Sequence, residues 1–317
     1  MKITFFASFI PFFDIRYNWV MSYMKTITKI SNSNLLFPFS FIFQDTKSPQ
    51  KELADHIHDY YEIVYVYSGK GTFFIDDIFY DMKQGDVFLI PNNIIHRAMP
   101  DKDEPITSTI IFFSPTLIYN VLLDDSFSYL NLFDMAKKMK TYKISLELEN
   151  QQKTEEKLLN IFQETVKNEL GSRHASLLFV HQIILDLYRA QMDKKQHLIE
   201  TNTYGPDWIK EILVYINQNL SHQLPLTELA KEALVSTSHF SRVFKQITGM
   251  GLTVYINNKR VIKAKELLLE TNHTVSFIAE ECGFESMTHF HRIFKKYMDM
   301  TPAKYRKENK MFHTPNI

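Results

Sequence analysis

Four side chains in the N-terminal half have the types and spacing of a metal or hydrogen-bonding site. His56, His58 and Glu62 are separated by even numbers of residues, so a regular strand carries all three on one face. His96 follows through Gly85-x5-Pro91-x4. Neutral imidazoles with a carboxylate suit Mn, Fe, Ni or Zn and leave positions open for a ligand. Without a metal, the same groups hydrogen-bond a small molecule or neighbouring strands. A second constellation lies near the C-terminus. Phe240-Ser241-Arg242-Val243-Phe244-Lys245 returns 50 residues later as Phe290-His291-Arg292-Ile293-Phe294-Lys295. Leu229-Ala230 and Ile278-Ala279 match at 49, so the second copy holds one extra residue in a turn. Here the chemistry is recognition of polar edges. Arg pairs bidentately with guanine, His and Ser reach base edges, and Lys meets phosphate.

The element that must carry this second set is a helix-turn-helix used twice. The expected helices are Thr227–Ala233 with Ser236–Thr248, and Ser276–Glu281 with Ser286–Tyr297. A long amphipathic helix, Thr253–Leu269, joins the two units, and Thr301-Pro302 starts a short terminal helix. Ala230 and Ala279 let the paired helices cross closely. Phe240 with Phe244, and Phe290 with Phe294, are four apart and turn inward. The opposite faces are then Ser238, His239, Ser241, Arg242 and Lys245, and Met287, Thr288, His289, His291, Arg292 and Lys295. Such faces suit the major groove of double-stranded DNA. The copies differ at Ser238/Thr288 and Ser241/His291, which predicts an asymmetric site.

The first set needs strands. Ile63–Tyr67, Thr72–Ile75, Val87–Ile90 and Thr107–Phe113 alternate with tight turns, the pattern of a barrel or sandwich. Leu35–Gln50 has no clear period and reads as an irregular arm. Gln151–Leu170 carries Leu158, Leu159, Phe162 and Val166 at helical spacing. His174–Met192 carries Leu177, Leu178, His181, Ile184, Leu185 and Tyr188. These two helices either dimerise the chain or cover the barrel. The expected domains are a poorly ordered or mis-started leader over 1–34, of which residues 1–20 add nothing to the fold, a sensing barrel with its arm over 35–120, and a helical dimerisation segment over 121–193. A linker at 194–205, a DNA-binding domain at 206–308 (helix-turn-helix units 226–247 and 274–297) and a tail at 309–317 follow.

Formal net charge is zero, which alone argues against nucleic acid. The average hides an asymmetry: residues 206–317 carry 15 Lys and Arg against 11 Asp and Glu, leaving the first part at −4. The single cysteine, Cys282, excludes an intrachain disulfide and a thiolate cage, and points to a reducing compartment. The apolar stretch Met1–Phe13 is short, interrupted by Pro11 and without a small-x-small cleavage site. No run of 18 apolar residues suits a spanning helix, so a cytoplasmic protein is expected.

Residues 208–307 resemble the DNA-binding domain of the AraC/XylS family of bacterial transcription regulators. The matching pieces are Leu226-Thr227-Glu228-Leu229-Ala230, the two Phe-x-Arg-x-Phe-Lys stretches above, Ile278-Ala279-Glu280-Glu281-Cys282-Gly283-Phe284 and Thr301-Pro302-Ala303-Lys304-Tyr305-Arg306. Asp299 stands where the family usually has Gly, and His291 where it often has Ser. The histidine–glutamate pattern resembles the two motifs of the cupin barrel, with Asn93 for a usual Gly and Pro100 for a usual Asn. The resemblance implies an α+β multidomain chain: an N-terminal cupin-like β-barrel with a helical dimerisation segment, then an all-α double helix-turn-helix. It implies a ligand-responsive regulator of the AraC type, not an enzyme. Its partners would be promoter or operator DNA, a small-molecule effector, a second copy of the chain and, for an activator, RNA polymerase; the strand aromatics Tyr65, Tyr67, Phe73, Phe74 and Phe88 offer faces that suit a sugar or an aromatic effector alike. By the same resemblance the arm folds over the barrel when ligand binds. Three readings of His56, His58, Glu62 and His96 stay open: a pocket that requires no cofactor, a divalent-metal site, and the catalytic centre of a metal-dependent cupin enzyme fused to a DNA-binding module.

Overall fold

A computed structural model describes residues 37–47, 60–118, 127–193 and 206–309. His56, His58, the expected leader 1–34, the linker 194–205 and the tail beyond Asn309 lie outside the described residues. From Phe39 onward the described residues form one compact unit.

The N-terminal part is two antiparallel sheets. The strands are β1 (Phe39–Lys47), β2 (Tyr61–Ser68), β3 (Gly71–Ile75), β4 (Ile78–Met82), β5 (Asp86–Ile90), β6 (His96–Pro100), β7 (Ile106–Phe113) and β8 (Lys143–Ser145). The larger sheet has the order β1-β7-β2-β5-β8 and the smaller β4-β3-β6. β2 is buried over its first six residues, so both of its faces are covered. One face looks across at the smaller sheet. The other lies under α1 (Asn131–Met139), α2 (Leu148–Lys167) and α3 (Ser172–Asp193).

Several expectations need correction. The segment read as an irregular arm holds β1, paired with β7 from Phe39↔Phe113 to Lys47↔Ile106. Its alternation is broken by a register shift between Ile42 and Asp45, where Gln44 takes φ 45°, so no single period runs through it. The barrel does not end at residue 120, because β8 pairs with β5 through Asp86↔Ser145, Val87↔Ile144 and Phe88↔Lys143. The helices do not form a separate segment either. Leu158, Ile161, Val180, Ile183, Ile184 and Leu187 are buried in the same core cluster as Val64, Phe88 and Ile110.

The C-terminal part is all helical: α4 (Asp207–Gln218), α5 (Leu226–Glu232), α6 (Thr237–Thr248), α7 (Leu252–Glu270), α8 (Val275–Glu281), α9 (Met287–Met298) and α10 (Pro302–Asn309). α7 is not amphipathic as expected. Asn257, Asn258, Lys259, Arg260 and Lys265 are buried on it together with Tyr255, Val261, Ala264 and Leu268. It is surrounded because three bodies pack on it: the first unit, the second unit and the sensing sheets.

Candidate nucleic-acid interface and sensing site

Each unit builds its exposed face on the same frame. α6 and α9 open on Ser236 and Ser286, whose hydroxyls accept from the backbone N–H of His239 and His289 at 3.3 and 3.2 Å. They close on left-handed residues, Gly249 (φ 80°) and Asp299 (φ 53°). Asp299 thus adopts the conformation for which the family pattern has Gly. Phe240 stacks on Phe244 at 5.5 Å, with Tyr255 edge-on at 5.3 Å. Phe290 and Phe294 are likewise 5.5 Å apart, with Tyr305 at 5.7 Å. All four Phe rings are fully buried, which leaves the opposite face to solvent. Ser238, Ser241, Arg242, Lys245, Thr288, Arg292 and Lys295 are exposed, and His239, Met287, His289 and His291 are half-buried at the margins.

An arginine fastens each unit from behind. Arg260 donates to the carbonyls of Leu220 and His222 at 3.0 and 2.7 Å. Arg306 donates to those of Leu268 and His273 at 3.1 and 2.6 Å. Both bind carbonyls at or just past the end of the helix that opens the unit, where orphan acceptors gather. The extra residue of the second copy is now placed. Leu234 (φ 54°) and Gly283 (φ 81°) occupy the same left-handed turn position, and Glu285 is inserted before the Ser286 cap.

In the barrel, Glu62 of β2 and His96 of β6 meet across the two sheets. Glu62 Oε2 lies 3.0 Å from His96 Nε2, and both side chains are 5% exposed. His96 Nδ1 is 2.9 Å from the carbonyl of Ile94. A carbonyl only accepts, so Nδ1 carries a proton and Nε2 faces the carboxylate. Among the described residues no group of three or more His, Cys, Asp or Glu is placed to hold a metal. Sequence reasoning missed Ser40. It pairs with Phe112, as does Glu62, so both side chains point into the barrel from one row. Its hydroxyl is buried and without a hydrogen-bond partner, a condition that costs about 1–3 kcal/mol. A lone Ser in an aperiodic stretch gave no signal. The strand aromatics divide by face. Phe73 packs on Phe88 at 4.9 Å inside the barrel. Tyr65 donates to Glu155 of α2 at 2.6 Å, and Tyr67 packs on Phe43, itself stacked on Phe162 of α2. Phe74 turns outward with Phe79 and Ile95 and joins the core of α4 to α7.

That outward face is a joint the sequence did not announce. The β3–β4 turn, Asp76-Asp77, receives Lys259 of α7 at 3.3 and 2.7 Å. Tyr255 and Asn217 also donate to Asp77. Asp76 further accepts from Tyr142 at 2.8 Å. Lys265 donates to Asn93, and Lys137 pairs with Glu266 at 2.7 Å. Burial opposes the charge on Lys259, but Asp77 and Asp76 outweigh it and hold the ammonium above its usual range.

Two family models match. Residues 38–165 match the AraC-like ligand binding domain, and residues 229–308 a helix-turn-helix domain. The chain is 28% identical to the uncharacterized HTH-type transcriptional regulator YfiF of Bacillus subtilis, over 81% of this chain and 80% of that one. It is 25% identical to the HTH-type transcriptional activator RhaR of Mannheimia succiniciproducens, over 79% and 86%. The solved structure of ToxT from Vibrio cholerae aligns with 85% of this chain and 97% of its own at 16% identity, with a TM-score of 0.34. Among the described residues no helix is long and apolar enough to cross a membrane. A ligand-binding barrel followed by two copies of a groove-reading unit, each matched over its own stretch, makes this chain a member of the AraC/XylS family: a DNA-binding transcriptional regulator with an N-terminal ligand-binding domain.

Proposed function

We propose that the chain works as a cytoplasmic homodimer that reads two successive major-groove segments of promoter or operator DNA. The observation that carries this is the pair of exposed polar faces on α6 and α9, each capped by Ser and backed by a Phe pair. Ser238, His239, Ser241, Arg242 and Lys245 form the first reading face. Met287, Thr288, His289, His291, Arg292 and Lys295 form the second. One α-helix, α7, joins them, and successive major grooves of one DNA face are about 34 Å apart. The test is binding to duplexes selected from a random pool. Arg242→Ala and Arg292→Ala should each cost about 1–3 kcal/mol of specific binding. Unchanged affinity of both variants for selected and random duplexes refutes the reading.

The effector is a small sugar or aromatic molecule held inside the barrel. Ser40, Glu62 and His96 supply the polar groups there, Phe73 and Phe88 the aromatic faces, and His56 and His58 complete the expected set. No metal is required on this reading. It is supported by His96, whose two ring nitrogens already engage Ile94 and Glu62. A divalent ion on His56, His58, Glu62 and His96 would have to take the place of the His96 Nε2–Glu62 Oε2 contact. Dimerisation falls to α2 and α3, where Leu159, Val166 and Leu178 stay exposed although the opposite faces cover the barrel. If the regulator activates, RNA polymerase is its further partner.

A further inference from the structure

We infer that His239 is a positioning residue that fixes the direction of Arg242, and that the two reading faces therefore differ in stringency. This rests on the DNA-reading assignment above. Arg242 Nη2 lies 3.2 Å from His239 Nδ1. A guanidinium only donates, so Nδ1 accepts and the ring proton sits on Nε2. The imidazole is itself held. Its backbone N–H is bound by the Ser236 cap, and its ring lies 6.4 Å from that of Trp208 on α4. Trp208 in turn packs on the buried Phe240 at 5.2 Å. The chain of support runs from the core through Trp208 and His239 to an exposed guanidinium.

The second unit has the same two residues and lacks this link. His289 packs edge-on against Phe284 at 5.7 Å. Phe284 belongs to the turn of its own unit, where the first unit has Val235. Arg292 is exposed and makes no hydrogen bond or ion pair among the described residues. An arginine held in one direction loses little freedom on contact and accepts one acceptor geometry. A free arginine pays that ordering on contact and reaches several acceptors, base or phosphate. The base pair met by Arg242 should be nearly invariant in selected sites, and the one met by Arg292 degenerate.

The experiment is selection of a random duplex pool by the full-length chain. Affinities are then measured on the selected duplex and on each single-base-pair variant of it. Arg242→Ala identifies the base pair that Arg242 reads. His239→Leu, which keeps an apolar contact with Trp208, should lower discrimination at that base pair about 2- to 10-fold, the factor attached to immobilising one long side chain. The loss there should exceed that at every other position. His239→Asn, whose carbonyl replaces the Nδ1 acceptor, should restore discrimination. His289→Leu should lower discrimination at the Arg292 base pair by less than His239→Leu does at the Arg242 base pair. Weakening spread evenly over all base pairs marks a merely structural His239 and overturns the inference. So does no effect of His239→Leu while Arg242→Ala still loses discrimination, or an Asn variant no better than Leu. If Arg242→Ala loses discrimination nowhere, the DNA-reading assignment itself falls, and the inference with it.

Discussion

Lys259→Met isolates the joint between the sensing sheets and α7. Methionine is one atom shorter, fills most of the same apolar space and removes the charge. Lys259 is 9% exposed, and its partners Asp76 and Asp77 are 16% and 7% exposed. Removing one partner of a buried ion pair leaves an uncompensated charge and costs about 3–5 kcal/mol. Tyr255, Asn217 and Tyr142 still donate to the two carboxylates, which places the expected cost near the lower figure, about 3 kcal/mol. That is about a hundredfold in the equilibrium between joined and separated parts. Denaturant unfolding measures the total, and hydrogen exchange in the β3–β4 hairpin and α7 shows where protection is lost. The pH dependence adds a second readout. Burial alone would raise the Asp76 carboxyl, but Lys259, Lys140 and the Tyr142 hydroxyl outweigh it and hold it below its ordinary value. A carboxyl depressed by folding stabilises above its unfolded pKa of about 3.9 and loses that contribution as pH falls through the lower folded value. Without Lys259 the burial effect gains ground, so the acid loss of the joint should begin at higher pH in the variant. Adding Asp77→Asn should recover part of the cost, because both charges are then gone. A Lys259→Met cost below about 1 kcal/mol, the range of exposed pairs, with unchanged exchange at the hairpin would refute the argument.

The two turn positions make a matched pair. A Cβ on Gly283 would stand 2.2 Å from the Leu220 carbonyl, which Arg260 also binds, and φ there is +81°. Gly283→Ala should cost at least about 1–2 kcal/mol from the left-handed backbone alone, read as a lowered Tm. Leu234 holds the same conformation with 92% exposure, so Leu234→Gly should be neutral or stabilising by up to about 1 kcal/mol. Equal losses at both sites would show that the turns are not equivalent. Chelation by EDTA should leave Tm unchanged, whereas a matching sugar or aromatic effector should raise it with concentration; a Tm that falls on chelation overturns the metal-free reading. Sedimentation at micromolar concentration should give a dimer, and Leu178→Glu should shift it to a monomer, while a wild-type monomer removes α2 and α3 as the interface.

The duplicated unit was legible because each of its devices is local. A serine cap, two Phe one turn apart and an Arg on the far side fall within ten residues, and each copy checks the other. β2 and β5 were legible for a similar reason, being apolar runs between turn residues. What stayed hidden depends on partners far along the chain. β1 is recognisable only with β7 beside it, since the shift at Gln44 breaks its alternation. β8 is three residues long and owes its existence to β5. Phe73 and Phe74 are adjacent and read alike, yet strand alternation sends one into the barrel and the other to the DNA-binding helices. Asp76-Asp77 reads as an ordinary turn, and no local feature reveals that a lysine 182 residues on will be buried against it.

α7 shows why such a helix resists reading from its own residues. Tyr255 and Arg260 close the first unit, while Val261, Ala264 and Leu268 form the core of the second. Tyr255, Lys259, Lys265 and Glu266 meet the sensing part. Three demands at offset angles leave no single apolar stripe, and two of the buried groups are lysines that would be costly without their partners. The same arrangement has a mechanical consequence. The two reading faces are tied to α7 through Arg260 and the core around Leu268, so a shift of α7 relative to either unit changes the separation of those faces. A ligand in the barrel influences DNA binding to the extent that it favours one placement of the β3–β4 turn over another. The turn grips α7 between the two units rather than at a recognition helix.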